Sequence, residues 1–438
     1  MKRRDLRYII LILLLALLNY NSDYVGGMSL PEPVFTPENA RIENSDNPES
    51  YYASIDRSFN YFLRYWNISG ASVAIMKNGK LVFAKGYGIA DSSRNIKTQP
   101  FHKFRIASIS KLVTATAVMK LQSEGKLNLT DNVFGTGGLL KNEYFKNPRD
   151  KRASNITVAH LLSHQAGWSQ RYGDHMFMPQ VVADFLDKDL PVTTEDIVRF
   201  ALDKRLHFTP GRGRSYSNLG YAILGLVVEE VSGMQYEDYC RKEIFEPLGI
   251  YDFEIAKNLY IDKDPLEVRY YEPSDAILKE SIYGTGEILP ASYGGNNIEA
   301  LGGAGAWICT APDLLRFVSS IDGLGPEDEE ILPDLAVDFM TNRYNGFAPV
   351  GWKATTSNGY WWRTGSFPGT SAMVKRMPDG TVWAVLLNTS TWKSSMFTSD
   401  INRFMSRVLA RNKSWADIDL FKYSLPVPVS PEVPLIDD

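Results

Sequence analysis

Ser108-Ile109-Ser110-Lys111-Leu112-Val113-Thr114-Ala115-Thr116-Ala117-Val118-Met119 is the stretch on which the reading of this chain turns. Ile109, Leu112, Val113, Ala115, Ala117, Val118, Met119 and Leu121 leave almost no polar side, so the segment predicts a buried helix. Ser108 opens that helix, and Lys111, three residues on, shares its face. Free N–H groups and the helix dipole at this end favour negative charge beside Ser108. A lysine held there loses hydration of its charged form, so its pKa falls towards that of a usable base. The plain alternative makes Ser108 an N-cap and Lys111 an exposed first-turn residue. Two further Ser-x-x-Lys matches, Ser123/Lys126 and Ser390/Lys393, have poorer settings. Ser123 lies where its helix ends before Gly125, and Ser390 follows a strand in a Thr/Ser-rich loop.

Two later motifs complement the first. Tyr216-Ser217-Asn218 precedes an apolar helix beginning at Leu219. A tyrosine hydroxyl beside a lysine can be held partly ionised or can relay a proton. Asn218 offers a donor and an acceptor for orienting the lysine or a substrate amide. Alone, the motif also fits a loop tyrosine resting on a helix start. Arg363-Thr364-Gly365-Ser366 follows the aromatic strand Tyr360-Trp361-Trp362. A glycine on a strand edge admits another backbone, as substrate binding requires. The Ser366 N–H is then a candidate oxyanion-hole donor, with the Ser108 N–H as its partner. The plain alternative is a surface arginine stacked on Trp361 or Trp362. Together the three motifs supply a nucleophile, a proton-handling pair and an oxyanion site, the parts of a serine acyl-transfer enzyme. No Gly-x-Ser-x-Gly elbow and no phosphate-binding glycine loop occurs.

Away from the motifs, the chain ends predict a sheet. A helix over 51–66 is followed by strands at 71–76 and 81–87, joined by Asn78-Gly79, the pair a type I′ turn requires. A second hairpin, 371–377 and 381–387 around Pro378-Asp379-Gly380, precedes a helix over 396–410. The region between reads mostly as helices, at 111–124, 158–163, 194–203, 218–231, 236–245 and 312–321. The expected fold class is α/β (α+β): an antiparallel sheet flanked by N- and C-terminal helices, with an inserted, mostly α-helical part. The domain reading is a targeting segment over 1–22, a linker over 23–50 and one catalytic-type domain over 51–411. Its sheet parts span about 51–107 and 322–411, and its helical part about 108–321. Residues 412–438, with Pro426, Pro428, Pro431 and Pro434, read as an extended tail.

Composition bounds the rest. With 44% hydrophobic and 22% charged residues the chain is ordinary globular material, and a formal net charge of −4 makes no electrostatic case for nucleic acid. Cys240 and Cys309 share no metal-type spacing and read as two buried thiols, with a disulfide as the other option. The five histidines show no metal-ligand pattern, and no metal or cofactor is expected. Lys2, Arg3, Arg4 and Arg7 before the apolar run 8–18 predict an exported protein, either cleaved or tethered by this segment.

With the motifs in this order, the chain resembles the serine β-lactamase and penicillin-binding-protein-like superfamily, over roughly residues 52–410. Its nearest likeness is to the branch of class C β-lactamases, D-aminopeptidases, DD-carboxypeptidases and esterases. Further landmarks are Phe104-Arg105-Ile106-Ala107, the run Leu161-Leu162-Ser163-His164-Gln165-Ala166-Gly167, Thr209-Pro210-Gly211, Pro247-Leu248-Gly249 and the segment from Gly303 to Asp313. The resemblance implies a β-lactamase/transpeptidase-like fold with the site between a sheet domain and a helical one. It makes Ser108 the acylated nucleophile and Lys111 with Tyr216 the proton-transfer pair, leaving open which is the base. Asn218 would position substrate and Lys111, and His164 would be scaffold. Arg363 stands where the family usually has Lys or His, with Thr364, Gly365 and Ser366 completing the substrate-binding element. Arginine stays charged and presents a fork suited to carboxylate, but it does not shuttle protons. The expected activity is therefore an exported serine hydrolase acting on a peptide-like amide or an ester, of DD-peptidase, D-peptidase or esterase type. Its expected partner is a small-molecule or peptide substrate, cell-wall material among the candidates. A class C-like β-lactamase and a catalytically silent binding or sensor protein are the alternatives.

Overall fold

The computed structural model describes residues 41–422, apart from 325–329, 343–345 and 348. The targeting segment and the proline-rich end of the tail lie outside the described residues. Seven strands form one antiparallel sheet: β1 (Gly70–Lys77), β2 (Lys80–Asp91), β3 (Ile96–Lys97), β4 (Ala354–Thr355), β5 (Trp361–Phe367), β6 (Thr370–Arg376) and β7 (Thr381–Leu387). Their order is β3-β2-β1-β7-β6-β5-β4, so the two ends of the chain meet at the centre of the sheet. Val73 pairs with Val385 and Ile75 with Trp383 in that central ladder. Asn78 and Gly79 both take positive φ, 50° and 77°, the type I′ geometry that joins β1 to β2.

Alternation along the strands fills a core on each face. On one side Val73, Ile75, Trp383, Val385 and Leu387 meet Phe59 and Phe62 of helix α1 (Glu49–Trp66) and Phe404 and Met405 of the last helix. On the other, Ala74, Met76, Val382, Ala384 and Leu386 join a larger core shared with the middle of the chain. Four helices complete the frame: α2 (Ser110–Ser123), α3 (Asn218–Ser232), α4 (Ala311–Ser319) and α5 (Thr398–Arg411). Helix α2 is buried on nearly every side, as its sequence requires.

Several sequence expectations are corrected. The middle of the chain is helical only in part: 249–298 carries turns and two-residue strands, with Glu254–Ile255 pairing to Trp307–Cys309. Helices Pro179–Leu186 and Asp334–Thr341 were not foreseen. Residues 41–48 are not a loose linker, because Asn44 and Asn47 bond the backbone of Gly86 and Ala84 on β2. The start of the tail is likewise docked: Leu420 is buried, and Asp419 accepts a hydrogen bond from the Leu81 N–H. Cys240 and Cys309 are free and buried. No helix among the described residues is long and apolar enough to cross a membrane.

Candidate active site

Ser108 does not open the α-helix itself. It sits in a 3₁₀ turn, Ala107–Ile109, that leads into α2. Ala107 takes a positive φ of 45°, a conformation a side chain disfavours and the surroundings must enforce. The enforcement comes from both sides: the Ile106 N–H bonds the Trp307 carbonyl, and the Arg363 Nε–H donates to the Ser108 carbonyl at 2.7 Å.

The three motifs meet at this turn. Ser108 Oγ lies 2.6 Å from the Tyr216 hydroxyl, and Lys111 Nζ lies 3.4 Å from Ser108 Oγ. Lys111 also donates to Asn218 Oδ1 at 2.8 Å and to the Ala304 carbonyl, so its ammonium is gripped from three directions. The N-cap of α3 places Tyr216 and Asn218: Ser217 Oγ accepts from the Gly220 N–H, setting its two neighbours on the cleft side. His164 packs against the Tyr216 ring at 4.7 Å and accepts the Ser217 N–H. Burial, with the charges of Arg363 and Lys111, holds its imidazole neutral.

Arg363 is buried, not stacked on Trp361 or Trp362. Besides the Ser108 carbonyl, it donates through Nη2 to the Tyr216 hydroxyl oxygen at 3.3 Å. Its motif lies within β5 rather than after a strand. The glycine has a different reason from the one its sequence suggested. A Cβ on Gly365 would collide with the Ile106 carbonyl oxygen, so the close neighbour is the start of the Ser108 turn of the chain itself. Thr364 Oγ1 accepts from Lys353, and Ser366 lines the same cleft of about 680 Å³ as Ser108, Tyr216, Asn218 and Arg363.

The electrostatics follow from this crowding. Burial, reinforced by the Arg363 charge, lowers Lys111 to about 8. Burial pushes the Tyr216 hydroxyl upward, yet the charges of Lys111 and Arg363 outweigh it and leave the group below its ordinary value. The other two Ser-x-x-Lys pairs are spent elsewhere: Lys126 binds Glu124 and Lys393 binds Asp400.

Sequence reasoning did not find Ala304, Asp174 or Lys353. Asp174 caps a short turn and accepts from Asn218 Nδ2 at 2.7 Å, fixing which end of that amide faces Lys111. Its capping position is readable, but nothing local aims its second oxygen at Asn218. Lys353 lies just before β4, with its ammonium 3.1 Å from Thr364 Oγ1.

The Ser108 turn, braced by a sheet edge, faces Lys111 and Asn218 from two helices and Tyr216 from the loop before the second. The chain belongs to the beta-lactamase family, whose model matches residues 60–404. Among curated relatives, Protein flp of Staphylococcus aureus (strain N315) is 31% identical over 198 residues, 44% of this chain and 36% of that protein. The chain thus spans about a third of the length of that relative. The D-amino acid amidase of Ochrobactrum anthropi SV3, solved with L-phenylalanine amide, superposes with a TM-score of 0.62 at 20% identity, over 83% of this chain and 100% of that one. FmtA from Staphylococcus aureus gives 0.62 at 21% identity, over 88% of this chain and 94% of the other. These likenesses are of fold.

Proposed function

We propose that this protein is an exported serine hydrolase that forms an acyl-enzyme at Ser108 with a peptide-like amide or an ester. The observation that carries the reading is the Ser108–Tyr216 contact of 2.6 Å with Lys111 held beside it. Ser108 Oγ receives an N–H from Lys111, and the Tyr216 oxygen receives one from Arg363. The serine proton is then free to point at Tyr216, which makes the tyrosine oxygen the immediate proton acceptor. Lys111 and Arg363 stabilise the phenolate character this requires. As Ser108 Oγ bonds to the substrate carbonyl carbon, its proton passes to Tyr216, the carbonyl electrons move to oxygen, and the backbone N–H groups of Ser108 and Ser366 receive that oxyanion. Collapse of the intermediate expels the amine or alcohol, which takes the proton from Tyr216. Water repeats the sequence on the acyl-enzyme and frees the acid.

Within this class a D-peptidase or esterase is proposed ahead of a β-lactamase, because Arg363 stands where the family usually has Lys or His. The guanidinium of Arg363 is engaged with Ser108 and Tyr216, so an anionic group of the substrate meets Lys353 and Thr364 at the cleft wall instead. The test is covalent labelling by a fluorophosphonate and by a penicillin probe, in wild type and Ser108→Ala, with p-nitrophenyl esters, D-Ala-D-Ala peptides and a chromogenic cephalosporin as substrates. Labelling and ester or D-peptide turnover that vanish in Ser108→Ala are expected. A folded wild type that neither labels nor turns over any of them would refute the reading.

A further inference from the structure

We propose that the outer face of the first and last helices is a binding site for the phosphate headgroups of an anionic phospholipid surface. Helices α1 and α5 lie side by side, with Phe62 stacked on Phe404 at 4.2 Å beneath them. Above this contact runs a groove of about 650 Å³ whose walls carry Arg57 from α1, Arg407 and Arg411 from α5, Ser54, Ser58 and the edge of Tyr61. None of these three arginines has an acidic partner among the described residues, because the nearby carboxylates are committed. Asp56 holds Lys85 and Tyr87, and Asp400 holds Lys393 and Arg403.

Arg407 and Arg411 are four residues apart, a spacing at which like charges repel along a helix. The C-terminal end of α5 favours cations and so explains Arg411. It does not explain Arg57, which comes from the middle of the neighbouring helix into the same groove. Three arginines lining one groove, none paired with a carboxylate among the described residues, make a receptor for phosphate oxygens, which arginine takes two at a time.

The groove has an aromatic collar. Tyr61 stacks on Tyr65 at 6.0 Å, Tyr65 meets Trp66 edge-on at 5.2 Å, and the Lys393 ammonium sits 4.7 Å from the Trp66 ring and 5.4 Å from Trp392. Tyr61, Tyr65, Met396 and Trp392 are 62, 66, 70 and 74% exposed. Amphipathic rings of this kind settle at the boundary between headgroups and acyl chains, and adjacent cations add the attraction of anionic lipid. A soluble phosphate would use the arginines but has no need of the rings. The collar also adjoins the cleft, because Ser395, between Trp392 and Met396, lines the wall beside Ser366 and Phe367.

The test is binding of the full chain to phosphatidylcholine vesicles with and without phosphatidylglycerol, for wild type, Arg57→Gln/Arg407→Gln/Arg411→Gln, and the charge-matched control Arg149→Gln/Lys151→Gln/Lys242→Gln. The basic, apolar N-terminus is common to all three and cancels in the comparison. The groove variant is expected to lose on the order of a hundredfold in affinity for phosphatidylglycerol vesicles, while the control stays near wild type. Tyr61→Ala/Trp392→Ala is expected to weaken binding to both vesicle types. Unchanged far-UV circular dichroism and thermal unfolding midpoint show that the variants are folded. Equal losses in groove and control variants would overturn the proposal. So would displacement of the wild type from vesicles by millimolar inorganic phosphate at constant ionic strength, which would mark a soluble-anion site.

Discussion

On the proposed function, Tyr216 is the residue through which the charge arrangement becomes a rate. Two cations sit on it and a serine lies at hydrogen-bond distance, so removing its hydroxyl should leave the fold intact and stop proton transfer. Tyr216→Phe is expected to lower the rate of acylation by about 10²–10⁴ with little change in thermal stability. The pH profile belongs to the same pair. Lys111, lowered to about 8, and Tyr216, held below its ordinary value, titrate as a pair, and the form that has lost one proton, with the charge on the phenolate beside the ammonium, is the one that accepts the serine proton. The rate of acylation of wild type is therefore expected to climb as pH rises through about 8, read by stopped-flow with a fluorescent ester. A rate independent of pH from 6 to 10 would detach the pair from the chemistry. Arg363 tests a different point. Arg363→Lys keeps the charge but cannot reach both the Ser108 carbonyl and the Tyr216 hydroxyl. A loss of roughly ten- to a hundredfold in kcat with KM nearly unchanged is expected for a charge-assisted bond of that kind. A rise in KM alone would instead make Arg363 a substrate clamp.

At the scale of elements, the site is one turn trapped between a sheet edge and a helix. Strand β5 approaches the Ala107–Ile109 turn so closely that Gly365 has no room for a methyl group. Gly365→Ala is expected to push β5 and the turn apart, at about 1–3 kcal/mol of stability by chemical denaturation, with loss of labelling at Ser108. The helix after Ser108 was legible because it is apolar nearly all round, whereas an exposed first-turn Lys111 stayed open until the structure placed that side chain in the core. The hairpins were legible through Asn78-Gly79 and Pro378-Asp379-Gly380. What escaped was tertiary. Asp174 reaches Asn218 from a loop and the Ala304 carbonyl reaches Lys111 from the end of a 3₁₀ turn, and both paths depend on the whole core. The brevity of the Asp334–Thr341 helix gave periodicity little to register. The role of Gly365 was misread for the same reason, since a close approach can be inferred from a glycine while its partner cannot.

At the scale of the molecule, the decisive contact is the ladder between β1 and β7. Buried Asn388 fastens it: its Oδ1 accepts from the Gly70 N–H at 2.7 Å, and its Nδ2 donates to the Ile89 carbonyl at 3.0 Å. Asn388→Ala leaves those backbone groups buried and unpaired, and a loss of about 2–4 kcal/mol is expected in urea unfolding. Neither terminal hairpin buries both faces alone, so the sheet is complete only when both have formed. The Gly70–Asn388 bond spans 318 residues. A chain emerging from the ribosome therefore carries its serine, lysine and tyrosine long before it has the strand that braces them. Closure of so distant a pair is slow to nucleate. Ser108, Lys111 and Tyr216 are thus synthesised well before the hairpin that closes the sheet, and on the proposed function the site is assembled only once that final hairpin has formed.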